Sequence, residues 1–177
     1  DARTGLPLYS LYGDSRKPSP ELLQGIDTLI FDLQDVGSRY YTFLYTMYYC
    51  MEAAGENGIP FTVLDRPNPL GGIEVEGNIV KPGFTSFVGL QPIANRHGLT
   101  TGELATYYRD ALGVKCHLTV IPVQGWTRGM GWEDTGLQWV APSPNIPTAD
   151  TARAYPGMCF IEGTQLSEGR GTSKPFE

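Results

Sequence analysis

No stretch of this sequence approaches the ~20 consecutive apolar residues of a membrane-spanning helix. Histidine occurs only twice, at His97 and His117, and no spacing of His, Cys or carboxylates suggests a metal centre. The three cysteines, Cys50, Cys116 and Cys159, are scattered, with no Cys-x-x-Cys pair. Their odd number argues against a disulfide framework, and their apolar neighbours favour buried thiols over zinc ligands. Basic residues are also short: 13 Lys and Arg against 19 Asp and Glu leave a net charge of −6. A nucleic-acid surface needs the opposite sign. The glycine-rich stretch EGTQLSEGRGTS (162–173) lacks the Gly-Lys-Ser/Thr ending of a P-loop, and no Gly-x-Ser-x-Gly elbow is present. Ser167 and Ser173 therefore have no nucleophile setting, and no cofactor is implied.

What remains is 41% hydrophobic, enough for a real core in one domain of 177 residues. Four apolar, β-branched or aromatic runs predict strands at 27–33, 60–65, 117–123 and 158–163. They are nearly continuous rather than alternating, which predicts cover on both faces and so three layers. Helical spacing fills 39–58 up to Gly55 and Gly58, and again 100–113, where Thr100 and Glu103 form a capping box. Strand, helix, strand, helix, strand implies an α/β fold with a parallel sheet and right-handed crossovers. Residues 66–99 and 124–157 are long loops that hold most prolines and all three tryptophans. Ordered loops of that length are usually functional.

In open α/β sheets the ligand lies beyond the carboxyl ends of the strands. Those ends carry Asp32 and Asp35, then Asp65, Arg66 and Asn68, then Trp126, then Glu162. Asp35 serves either as a cap for the next helix or as a site residue; Asp32 needs a cation such as Arg39 or Arg66. In LDRPNPLGG the prolines and glycines fix the loop, so Arg66 and Asn68 meet a ligand unless this is a plain turn. His97 is a candidate ligand contact or a hydrogen-bonded structural residue. Indole planes at Trp126, Trp132 and Trp139 suit the apolar faces of sugar rings, with at least one spent on packing. Glu162, Glu168 and Arg170 supply two acids and an anion clamp.

The strings GLPLYSLYG, FDLQDVGSRYYT, VLDRPNPLGG, SFVGL, RHGLTTGELA, SPNIPT, YPG and EGTQLSEGRGTSKPFE together resemble the bacterial exo-β-N-acetylmuramidases of the NamZ type, formerly a domain of unknown function. The resemblance implies a glycosidase that releases N-acetylmuramic acid from non-reducing ends of peptidoglycan fragments, outside the cytoplasm, without metal or cofactor. It implies a three-layer Rossmann-like domain over 1–177, incomplete at both ends: a Pro-Glu-His-Gly stretch bearing a leading catalytic Glu is expected upstream, and a smaller C-terminal domain downstream. A fragment of this kind is expected to be inactive alone. Glycoside hydrolysis needs paired carboxyl groups, and Asp32, Asp35, Asp65 and Glu162 are the candidates. Substrate contacts are expected from Arg39, Tyr41, Arg66, Asn68, His97, Trp126, Asn145, Glu168 and Arg170, the arginines answering the lactyl carboxylate of muramic acid. Asn95 stands where proline is commoner in the family. The alternatives are a non-catalytic amino-sugar or peptidoglycan-binding module and a hydrolase of another amino sugar; the sequence gives no oligomeric state.

Overall fold

Three of the predicted strands form one parallel sheet. The computed structural model describes residues 1–13 and 15–177. It places β1 at Leu29–Phe31, β2 at Phe61–Leu64 and β3 at Leu118–Ile121, hydrogen-bonded in the order β1-β2-β3. Phe61 sits opposite both Leu29 and Leu118, which fixes the register. β2 and β3 are shorter than their apolar runs because prolines bound them. Pro60 precedes β2 and Pro122 follows β3, and neither has an N–H to extend the ladder.

The first crossover is helix α1, Phe43–Glu56, and the second is α2, Thr101–Asp110. Gly55 lies within α1, whose termination falls instead at Gly58, with φ +67° just past the Asn57 cap. The predicted capping box opens α2: Thr100 Oγ1 accepts from Glu103 N, and Glu103 Oε2 accepts from Thr100 N. Right-handed crossovers that step in one direction put both helices on the same face. There Phe31, Phe61 and Val63 pack against Leu44, Met47 and Met51 of α1 and Leu104, Ala105 and Tyr108 of α2. Each Val, Leu, Met or Phe among them contributes ~1.5–3 kcal/mol on full burial. The other face is open rather than covered as the apolar runs predict. Ile30 is 61% and Ile121 51% exposed, and Thr119, two residues before Ile121 on β3, is exposed too.

The fourth predicted strand, 158–163, is helical. It comprises the end of helix α3, Ala149–Met158, and a 3-10 turn at Cys159–Gly163. Thr148 starts α3 by accepting from Thr151 N, and Asp150 adds an acid to the first turn. A second core of Val36, Tyr41, Ile146, Ala152, Tyr155 and Phe176 ties α3 to the loop after β1. Among the described residues no helix is long and apolar enough to cross a membrane.

Candidate active site at the carboxyl edge of the sheet

Asp32 follows β1 directly, and Arg66 follows β2 by two residues, so parallel pairing brings them side by side. Arg66 Nε and Nη2 both donate to Asp32 Oδ1, at 2.8 and 2.5 Å. The pair is solvent-exposed, and Asp32 Oδ2 has no protein partner among the described residues. One oxygen is thus fixed by a two-pronged guanidinium while the other faces solvent. Asp65, which ends β2, is differently occupied. Its Oδ1 accepts from Gly102 N at 2.7 Å and Arg66 N at 3.0 Å, and its Oδ2 from Thr100 Oγ1 at 3.0 Å. Gly102 N is one of the free amides of the first turn of α2, so Asp65 anchors the positive end of that helix to the strand.

Asp35 turns inward. Its Oδ2 accepts from Gly37 N at 2.8 Å and meets His97 Nε2 at 3.0 Å, and both residues are buried. Leu99 N donates to His97 Nδ1, so the ring proton sits on Nε2, toward Asp35. With both ring nitrogens spent, His97 has none left to take a proton from a substrate. The helix after this loop is not capped by Asp35: Thr42 is its N-cap residue, and the Thr42 hydroxyl bonds Tyr12 Oη at 2.9 Å rather than capping the helix. Asn68 is buried too, donating to Leu99 O and accepting from Leu70 N. Gly37, at φ +78°, is needed here, because a Cβ would lie 2.5 Å from Asn68 Oδ1. Asp35, His97 and Asn68 thus form a strut that holds the loops at the sheet edge.

Two clefts open nearby. One of about 500 Å³ is lined by Asp65, Glu103, Val120, Trp126 and Arg128. Arg128 spans it, pairing with Glu103 and donating to Gly98 O at 3.0 Å. The other, of about 630 Å³, is lined by Tyr12, Tyr41, Pro144, Tyr155, Glu162 and Arg170. In it Arg170 joins two acids, donating to Glu162 at 2.7 Å and Glu168 at 2.8 Å. Burial, then the charge of Asp35, pushes the Tyr41 phenol well above its usual range. Asn145 adjoins Pro144, its amide donating to Ser143 Oγ at 3.3 Å. Trp132 and Trp139 pack edge to face with centroids 4.9 Å apart, and Trp139 Nε1 bonds Ile146 O. Trp126 lines the first of these clefts.

The expected residues therefore separate. Asp32 with Arg66 forms an open carboxylate at the sheet edge; Asp65 and Trp126 share one cleft; Tyr41, Glu162 and Arg170 share another. Glu162 reaches its cleft from a 3-10 turn and not from a strand end. Arg39 is buried against carbonyl oxygens, Nη1 donating to Asn78 O at 2.7 Å and Ile93 O at 3.0 Å. Arg128 is the site residue missed by the sequence; its signal is a cation two residues past Trp126 in a glycine-rich loop. No cluster of metal-ligating side chains occurs among the described residues.

Comparison with known proteins gives this arrangement a family. The model for the N-terminal part of exo-beta-N-acetylmuramidase NamZ matches residues 1–150, and that for the C-terminal part matches 153–177. Over all 177 residues the chain is 55% identical to the peptidoglycan beta-N-acetylmuramidase NamZ of Bacillus subtilis strain 168, covering 43% of it. Two crystal structures of DUF1343 family proteins from Bacteroides fragilis NCTC 9343 resemble it at TM-scores of 0.93 and 0.89, with 47% and 38% identity. They match 99% and 100% of this chain, which covers 47% and 48% of theirs. The chain thus spans less than half the length of these relatives. With a family model matching most of its length and near-superposable relatives, this chain belongs to the exo-beta-N-acetylmuramidase NamZ family.

Proposed function

We propose that this chain is part of a glycosidase that removes N-acetylmuramic acid from non-reducing ends of peptidoglycan fragments. The observation that carries the proposal is the 55% identity along the whole chain to a peptidoglycan beta-N-acetylmuramidase. The geometry adds a chemical role. Cleaving a glycosidic bond passes through an oxocarbenium-like state, and a carboxylate beside the anomeric carbon stabilises that charge or activates water. Asp32 suits that role: it sits at the sheet's carboxyl edge, held through one oxygen by Arg66, with the other free. Asp35 is spent on His97 and Asp65 on α2, so neither has Asp32's freedom. Glycosidases of this kind pair such a carboxylate with a second carboxyl group. Trp126 offers an indole for a sugar face at the neighbouring cleft.

Peptidoglycan lies outside the cytoplasmic membrane, so the enzyme acts outside the cytoplasm, in cell-wall turnover. The test is to incubate the protein, at the full length of its relatives, with a disaccharide of N-acetylmuramic acid linked to N-acetylglucosamine. Mass spectrometry should find free N-acetylmuramic acid. Tight binding of the disaccharide without release of either sugar would make this a sugar-binding module instead.

A further inference from the structure

Arg39 is a buried cation without an anion. The guanidinium groups of Arg66, Arg96, Arg109, Arg128, Arg153 and Arg170 each face a carboxylate. Arg39, at 8% exposure, faces none among the described residues. Its Nη1 is spent on two backbone carbonyls, while Nη2 has only the Asn78 side chain at 3.5 Å and Nε has no partner. The Tyr40 ring, 5.3 Å from the guanidinium carbon, adds a cation–π contact but no countercharge. A buried charge with no anion is costly, and an arriving anion recovers that cost.

The surroundings fit such an anion. Arg39 lines a cleft of about 460 Å³ with Lys81, and no acidic residue lines it although the protein carries a net charge of −6. Lys81 is exposed and makes no ion pair among the described residues. Val80, Phe84 and Val88 provide apolar wall beside the two cations. Tyr40 and Val88 line both this cleft and the one holding Glu162 and Arg170, so the two are neighbours. Arg66 and Arg170, the other candidates for anion recognition, are already neutralised by Asp32 and by Glu162 with Glu168.

We infer that this cleft is a carboxylate subsite, built on Arg39 and Lys81, that takes the lactyl group of a muramic sugar. The inference rests on the muramidase reading for the identity of the sugar. The carboxylate meets the guanidinium and the ammonium, and the lactyl methyl meets Val80 and Val88. A sugar without the lactyl group, such as N-acetylglucosamine, leaves both cations unanswered.

Calorimetry tests this without turnover, using the protein at the full length of its relatives. The ligands are N-acetylmuramic acid, its neutral methyl ester and N-acetylglucosamine. Loss of a charge-assisted bond to a buried group predicts that the acid binds about 10- to 100-fold more tightly than the ester. Arg39→Gln should erase that preference. Lys81→Gln, at an exposed rim, should reduce it by about two- to fivefold. If Arg39→Gln fails to fold, the wild-type comparison and Lys81→Gln still decide. Equal affinity for acid and ester in the wild type would overturn the inference, as would a full preference surviving in every variant that folds. Failure of the muramidase reading shows separately, as absent hydrolysis while acid-selective binding persists.

Discussion

Asp32 and Asp35 leave the same strand three residues apart, yet one stays in solvent against Arg66 and the other is sealed against His97. Both lie at the strand tip, as the apolar run before them implies. The sequence alone does not say which faces outward, because that depends on Gly37 turning at φ +78° and on His97 arriving from sixty residues on. Asp35→Asn should therefore act on stability. It weakens a buried acceptor for His97 and Gly37, and should lower unfolding free energy by ~1–3 kcal/mol. Chemical denaturation checks the loss; a normal midpoint with abolished turnover would make Asp35 catalytic instead. The cysteines carry a second residue-scale expectation. Burial pushes the Cys50 thiol up to about 11, and it raises Cys116 and Cys159 as well. The reactive thiolate of Cys50 is then scarce at neutral pH and grows only as pH climbs toward that value. A disulfide reagent at pH 7.5 should label Cys50 far more slowly in native than in denatured protein, and native labelling should accelerate with pH.

Among the elements, β1 to β3, α1 and α2 are legible because their signals agree: apolar β-branched or aromatic runs, proline at the bounds of β2 and β3, helical spacing, and a capping box at Thr100. The fourth strand was misread because MCFI is a short apolar run, and such runs do not distinguish strand from helix. The deciding signal lay upstream, where Thr148 and Thr151 start a helix that continues through Pro156 to Met158. Gly55 was read as a stop signal, but a contact across the fold explains it. A Cβ there would lie 1.5 Å from Lys115 O, so the end of α1 and the segment before β3 touch backbone to backbone. Gly55→Ala should cost about 1–3 kcal/mol or more, despite alanine's better helix propensity. Thermal unfolding would check the sign, and an unchanged or higher midpoint would contradict the contact. Thr100→Ala removes both the cap of α2 and a donor to Asp65, and should cost ~0.5–2 kcal/mol.

At the scale of the molecule, the order β1-β2-β3 leaves one sheet face bare, with Ile30 and Ile121 more than half exposed. That could not be read from strand composition, because both faces of each run are apolar and only the crossover direction decides which is covered. The 177-residue chain made alone should associate through this face, and Ile30→Lys with Ile121→Lys should suppress it in sedimentation velocity. The candidate site was legible as a set of residues at the strand ends but not as a geometry. Partner choice separated Asp32 from Asp35, Asp65 and Glu162, and partners come from distant loops. The central claim is that Asp32, held by Arg66, is the carboxylate that works on the sugar. It is tested most directly by the turnover of a chromogenic N-acetylmuramide by Asp32→Asn, in the protein at the full length of its relatives, with the melting temperature measured alongside. The account predicts a loss of ~10²-fold or more in kcat at a nearly unchanged melting temperature. A variant that melts much lower while its folded fraction keeps wild-type turnover would contradict it, and would leave Asp32 as one half of a structural ion pair.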